Sequence, residues 1–306
     1  MASPQNFLIV LAGPTAVGKT STAIALAKRL QTEIVSCDSR QFYREMTIGT
    51  AVPSAEELKA VPHHFIQHKS ITARYDVATY VADALQLLDS LFHQSHFVVL
   101  TGGSGLFLDA VCHGLDELPE TTEEIRRQVQ EIFLTEGLSG LQSRVATCDP
   151  NYYAQADIQN PRRLQRALEV YLATGQSFSS FRQGNRVHRN FQCIKIALHR
   201  DRKELIQRID ERVNQMMQQG LLNEASRLYG QRHCNALNTV GYKELFEYMD
   251  GKLSLGEAIE KIKINTRQYA KRQMTWFRKD KSYCWFDPHD IEGMMSYIRQ
   301  MANERK

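Results

Sequence analysis

The sequence predicts an α/β protein: a phosphate-binding-loop (P-loop) parallel sheet with flanking helices, interrupted by a mainly helical insertion. Three observations predict it. The stretch GPTAVGKT, residues 13–20, follows the apolar run FLIVLA and precedes a segment with helical spacing. Short apolar runs elsewhere alternate with helical patterns, and each run ends in a polar or glycine-rich turn. From about residue 116 to 188 this alternation stops, and helical patterns alone follow until FQCIKIALH at 191–199. Strands alternating with helices form parallel sheets that bind ligands beyond their carboxyl ends.

Taken in order, residues 7–12 read as the first strand, and Ile24, Leu26, Ala27 and Leu30 mark the apolar face of the helix after the loop. EIVSC, 33–37, reads as a second strand ending at Asp38 and Ser39, and FVVL, 97–100, as a third ending in TGGSG. A polar, acidic stretch, DELPETTEE, opens the insertion at 116, and SFSSFRQGNRVHRN, 177–190, reads as its flexible return linker. Residues 1–115 and 189–306 then make up the core, 116–188 the insertion. Long amphipathic helices are expected from Arg202 to the end; the one at 255–279 opens with Ser254 and Glu257 at capping-box spacing.

Composition narrows the classes. A chain of 306 residues with 42% hydrophobic and 24% charged side chains can bury a substantial core. No run approaches the roughly 18 apolar residues of a membrane span, and the short apolar run near the start is not a signal peptide, so a cytoplasmic protein is expected, with monomer as the default. Six cysteines without CxxC spacing argue against a zinc site or disulfide framework and for reduced, mostly buried thiols. The adjacent His63 and His64 point apart on any regular element, so they are not read as a metal pair. Residues 261–281 hold eight Lys or Arg and one Asp, a local +7 that leaves the rest of the chain at −3. Such a concentration is expected of a surface that meets polyanions, although on this helix alone a solvated charged face is the usual reading and prevails.

The loop matches GxxxxGK[ST] in full. In that motif the amides of Gly13, Pro14, Thr15, Ala16, Val17 and Gly18 and of the following helix start surround a phosphate chain; Pro14 supplies shape only, lacking a donor. Lys19 reaches the terminal phosphates and the Thr20 hydroxyl helps hold Mg²⁺. Asp38, trailed by Ser39, Arg40 and Gln41 at a strand end, can accept a proton from a bound amine or hydroxyl, hold the metal through water, or cap a helix. Ser104 in TGGSG places a hydroxyl over the same crevice. Arg162, Arg163 and Arg166 open a predicted helix, where cations oppose the dipole and call for an anionic partner. On the helix at 255–279, Arg267, Lys271 and Arg278 fall on one side and Tyr269 and Trp276 on another.

These stretches together resemble the tRNA dimethylallyltransferases, also called tRNA isopentenyltransferases: GPTAVGKT, CDSRQFY (37–43) with TIGTAVP (47–53), PHHFI (62–66), TGGSGLF (101–107), NPRRLQRALEVYLATG (160–175), GYKEL (241–245) and NTRQYAKRQMTWFRK (265–279). They run in order along nearly the whole chain. Two departures stand out: Ser104 replaces the usual threonine, keeping the hydroxyl, and Arg40 stands where methionine is common, adding a charge. The chain also ends without the zinc-finger extension of eukaryotic members, which points to the bacterial type.

The resemblance implies transfer of a dimethylallyl group from dimethylallyl diphosphate to the N6 amine of the adenosine beside the anticodon, with Mg²⁺ as cofactor. It implies Asp38, Ser104 and Lys19 as catalytic residues, with Arg208 or Arg212 as a further diphosphate contact. Expected tRNA contacts are Asp38, Ser39, Arg40, Gln41, Ser104, Arg126, Arg162, Arg163, Gln165, Arg166, Gly241, Tyr242, Lys243, Arg267 and Lys271. The alternatives are an adenylate dimethylallyltransferase, a small-molecule kinase, whose ATP the loop alone would fit, and a non-catalytic RNA-binding protein. The insertion and the basic block favour tRNA, because a free nucleotide gives them nothing to hold.

Overall fold

A computed structural model describes residues 5–182, 184 and 187–304. Of the expected linker, Gln183, Asn185 and Arg186 lie outside the described residues, as do Met1–Pro4 at the start. The chain forms two compact units, one of residues up to 113 and from 188 onward, the other of 114–187.

The first unit is a six-stranded sheet in the order β3-β2-β4-β1-β5-β6, every neighbouring pair parallel. Its strands are β1 (Asn6–Ala12), β2 (Ile34–Ser36), β3 (His63–His64), β4 (Phe97–Gly102), β5 (Phe191–Leu198) and β6 (Cys284–Phe286). All of β1 beyond Asn6 is buried, which explains why its sequence is uniformly apolar rather than alternating: helices cover both faces of a parallel sheet. The helices in the first half of the chain are α1 (Lys19–Leu30), α2 (Ala55–Ala60), which buries no residue of its own, α3 (Val77–Phe92) and α4 (Gly105–His113).

The second unit holds α5 (Glu123–Cys148, kinked at Gly137), α6 (Pro150–Gln155), α7 (Pro161–Thr174) and α8 (Phe178–Phe181). They close on their own core of Val129, Leu141, Val145, Leu164, Leu168 and Phe178. Back in the first unit follow α9 (Arg202–Gln218), α10 (Leu221–Leu228), α11 (Tyr242–Met249), α12 (Leu255–Lys279) and α13 (Ile291–Glu304). The capping box of α12 forms in full, with the Ser254 amide donating to Glu257 at 2.7 Å and the Glu257 amide returning to Ser254 at 3.3 Å.

Two elements depart from the expectation. β3 and β6 carry two and three residues and leave no periodic signal, so β6 breaks what was read as an all-helical C-terminal stretch. FVVL belongs to the fourth strand in chain order, not the third. The cysteines are all free, but only Cys37 and Cys112 are buried and the other four are partly exposed, fewer buried than expected.

Register matters most for function. Ala12 pairs with Gly102 on one side and Ala197 on the other, and Ser36 pairs with Thr101. The strand ends that lead to Gly13, Asp38, Gly103 and Arg200 therefore lie at one level, and the chain leaves β1 toward β2 on one side and returns to β5 on the other. That is the topological switch point where open α/β sheets bind ligands.

Candidate active site

Gly18 serves as the N-cap of α1 and offers no side-chain cap, so the first-turn amides stay directed at the space above the loop. Lys19 folds back, donating to the carbonyls of Gly13 at 3.0 Å and Pro14 at 2.8 Å. Removal from water lowers its ammonium to a pKa of about 8, with Arg212 adding to the effect and Asp38 opposing it. Ala16 sits at φ 64°, a left-handed conformation that costs a non-glycine residue on the order of 1 kcal/mol. Arg208 Nε holds its carbonyl at 2.9 Å.

Three arginines bond to the loop, and Arg212 among them lies close enough to Lys19 and Asp38 to act on both. Arg212 donates to the Thr15 hydroxyl at 3.2 Å, Arg208 to Ala16, and Arg200 Nε to the Val17 carbonyl at 2.8 Å. Both diphosphate candidates thus reach the loop; Arg208 is exposed, whereas burial lowers the pKa of Arg212 and the Asp38 charge partly restores it. Arg200, on the turn after β5, was not anticipated: its side chain is also paired with Glu204 and meets His289 at 3.1 Å.

Asp38 caps no helix. Its Oδ1 accepts from the Arg40 amide at 3.1 Å, closing a tight turn at the end of β2. In the same turn Ser39 meets Ser104, the two hydroxyl oxygens 3.3 Å apart, so the acidic turn and the glycine turn share one crevice. Arg40 keeps its charge beside that crevice, where it acts on Tyr269 together with Asp38, and its guanidinium is held by the carbonyls of Asn235 at 3.1 Å and Ala236 at 2.9 Å. Gln41 likewise turns away, to the carbonyls of Thr50 and Ala51.

The roof is α12. Gln273, buried among Ala270 and Phe277, accepts from the Thr15 amide at 2.9 Å and donates to the Gly103 carbonyl at 2.8 Å. One turn on, Trp276 Nε1 donates to Asp109 of α4 at 2.9 Å. A Cβ on Gly103 would collide with the Gln273 carboxamide and one on Gly105 with the Trp276 indole, so these glycines admit α12 rather than a ligand. The Thr15 amide is thereby spent on the protein, a correction to its expected place among the phosphate donors. Gln273 could have been found in the sequence as the polar member of an apolar stripe at 270, 273 and 277.

The expected polynucleotide contacts divide. Tyr242 and Gly241 are buried, and the Tyr242 hydroxyl donates to Glu224 at 2.6 Å, which takes both off any surface; that expectation is corrected, and Lys243 is the exposed member. Glu224, also unanticipated, accepts the amides of Thr47, Ile48 and Gly49 and so ties TIGTAVP to GYKEL. Arg267 is paired with Asp210, Lys261 with Glu247 and Lys263 with Glu260. Lys271, Arg272, Arg278, Lys279 and Lys281 are exposed, so the accessible charge lies in the second half of the basic run.

Within the second unit, Arg126 and Arg166 both donate to the Thr121 hydroxyl at 3.1 Å, and Gln165 bonds Gln130. Arg162 and Arg163 are exposed, at the start of a helix whose first turn carries no acid and whose N-cap makes no side-chain bond. His64 pairs with Glu33 at 2.6 Å and His63 with the Val61 carbonyl. Among the described residues no three His, Cys, Asp or Glu stand as a metal-binding group, and no helix is long and apolar enough to cross a membrane.

Comparison with known proteins bears on this geometry. Residues 41–280 match the family model described as IPP transferase. A tRNA dimethylallyltransferase of Christiangramia forsetii is 48% identical over 300 residues, covering 98% of this chain and 99% of the relative. A tRNA dimethylallyltransferase 1 of Bacteroides fragilis is 46% identical over 292 residues, covering 95% and 97%. Among solved structures, the full-length tRNA isopentenylpyrophosphate transferase of Bacillus halodurans superposes with a TM-score of 0.73 at 36% identity, covering 99% of this chain and 98% of that one. A eukaryotic dimethylallyltransferase acting on tRNA gives 0.76 at 25% identity, covering 97% and 78%. With strand ends, phosphate loop and basic helix in this arrangement and relatives of this identity along its whole length, the chain belongs to the tRNA dimethylallyltransferase family.

Proposed function

We propose that this protein transfers the dimethylallyl group of dimethylallyl diphosphate to the N6 amine of the adenosine 3′-adjacent to the anticodon in tRNA, releasing diphosphate. The observation that carries the proposal is the shared crevice. A phosphate loop backed by Lys19 and Arg212 stands at the same sheet edge as a carboxylate, Asp38, and the facing hydroxyls of Ser39 and Ser104.

Breaking the allylic carbon–oxygen bond leaves its electron pair on diphosphate. The first-turn amides of α1, Lys19 and Arg212 stabilise that charge as it develops, while the allyl carbon gains cationic character. The adenine amine attacks this carbon from the opposite side and Asp38 takes the proton it sheds, with Ser104 orienting the base. A weakly nucleophilic aryl amine depends on such positioning, which contributes roughly 7–11 kcal/mol in well-oriented systems. Mg²⁺ fits as a companion of the diphosphate: it takes most of its ligands from phosphate oxygens and water, so the Thr20 hydroxyl with no protein cage is compatible with it. When bound it would neutralise charge on the leaving group.

The target base is stacked in the anticodon loop and must be turned out, at a cost of a few kcal/mol. The exposed second half of the basic run, with Lys243, Arg162 and Arg163, supplies the cations that would hold the tRNA backbone. Purified protein, Mg²⁺ and radiolabelled dimethylallyl diphosphate incubated separately with unmodified tRNA and with AMP test the proposal. Label in tRNA alone is expected; label in AMP would assign the free-nucleotide reaction, and label in neither would return the loop to kinase chemistry.

A further inference from the structure

The donor site and the acceptor site stand on different loops. The leaving diphosphate belongs to residues 13–20 after β1, whereas the base-orienting hydroxyl of Ser104 belongs to the turn after β4. Side-chain contact between these loops is supplied from above, by α12. The Gln273 carboxamide accepts from one loop, at Thr15 N, and donates to the other, at Gly103 O, and with only 5% of the residue exposed it has little room to swing. A buried amide satisfied at both ends in this way is a fixed-length strut, since breaking either bond leaves a polar group unpaired. Trp276, bonded to Asp109, seats α12 on α4 one turn further on and so fixes the level from which Gln273 hangs.

We infer that Gln273 is a positioning residue that sets the distance between the diphosphate and the adenine amine. The inference rests on the transfer reaction proposed above. Both hydrogen-bonding ends of Gln273 are taken up by backbone. It fixes two loops that touch the reactants, and its effect falls on the bond-making step rather than on the affinity of either partner. Because it hangs from the helix that carries the exposed basic residues, the same strut links the polynucleotide-facing helix to the phosphate loop.

The test uses the full-length enzyme and two variants. Gln273→Met keeps the volume and loses both hydrogen bonds; Gln273→Glu keeps the acceptor for Thr15 and loses the donor to Gly103. Transfer of label from dimethylallyl diphosphate to tRNA is measured at saturation, alongside equilibrium binding of inorganic pyrophosphate and of tRNA and the melting temperature. For Gln273→Met, kcat is expected to fall about 10- to 100-fold, the cost of an ångström-scale misplacement, while pyrophosphate and tRNA affinities stay within about threefold of wild type. If Gln273→Met does not fold, Gln273→Glu carries the test, through its loss of kcat at retained tRNA affinity. Wild-type kcat in either folded variant overturns the inference, and so does a loss confined to pyrophosphate affinity, which would make Gln273 a part of the phosphate loop alone. Failure of the wild-type enzyme to label tRNA would instead sink the proposed reaction, so the two failures are told apart.

Discussion

The phosphate loop and helix α12 meet in the crevice, yet they express their sequences in opposite ways. In the loop, glycine and lysine positions translate almost directly into geometry: Gly18 caps α1, and Lys19 sits on its first turn against the loop carbonyls. In α12 the residues that stand out by charge are divided by what packs beside them. Arg267 is consumed by Asp210, Lys271 faces water, and the uncharged Gln273 enters the site. A tight loop is encoded by its own backbone constraints, whereas a helix has faces whose roles are assigned by neighbours. Substitutions in the loop and its neighbours should therefore cost more than those on the exposed face of α12.

Asp38→Ala should lower kcat by about 10²- to 10⁴-fold while tRNA and pyrophosphate binding survive, because a general base acts on the reaction and not on either ground-state complex. Turnover near the wild-type level would remove Asp38 from the proton transfer. Among the loop-bracing arginines, Arg212→Ala should raise the KM for dimethylallyl diphosphate about 10- to 30-fold and exposed Arg208→Ala only about two- to threefold, since charge-assisted bonds matter most where water is excluded. Equal losses, measured by steady-state kinetics, would erase the distinction that burial draws between them.

The pH dependence follows from Lys19. Its ammonium, lowered to about 8 by desolvation, is charged below that value and loses its proton as pH rises through it. A diphosphate binds the charged form, so above pH 8 binding must also take up a proton, and affinity should fall by up to about tenfold per pH unit while staying flat below pH 7. Deprotonation of the diphosphate would have the opposite sign. Calorimetric titration of wild type and Lys19→Met across this range checks the assignment: the variant should lack the alkaline fall.

The smallest effects separate charges on α12. Lys271→Ala should weaken tRNA binding about two- to threefold and reduce the slope of log K against log salt by about one, as expected for the loss of one phosphate contact. Arg267→Ala should leave that slope unchanged and lower stability by at most about 1 kcal/mol, the usual range for a partly exposed ion pair. A salt slope altered by Arg267→Ala would show that its pairing with Asp210 yields to tRNA.

Much of this was legible in the residues. The apolar runs at 7–12 and 191–198, the loop and the glycine turn announce a parallel sheet and its ligand edge because buried parallel strands and tight turns restrict composition locally. Asp38 was found because it ends such a strand. Gln273, Arg200 and Glu224 were missed, for their partners lie 258, 183 and 175 residues away in the Thr15, Val17 and Gly49 contacts. No local pattern encodes such separations. The strands β3 and β6, two and three residues long, were too short for periodicity to register.

Local sequence carries the glycine-rich loop after β1, the alternation of strand and helix, the run of helices at 123–181 and the concentration of positive charge at 261–281, all properties set by residues within a few positions of one another. Only the fold brings about which cations remain exposed, the burial of Tyr242 against Glu224, the anchoring of Arg40 to the carbonyls of Asn235, Ala236 and Asn238, and the carboxamide that α12 places between the loop after β1 and the turn after β4. The physical reason is that a charge or hydrogen-bonding group acquires its role from the partner that satisfies it, and here those partners are brought together only when the sheet aligns its strand ends.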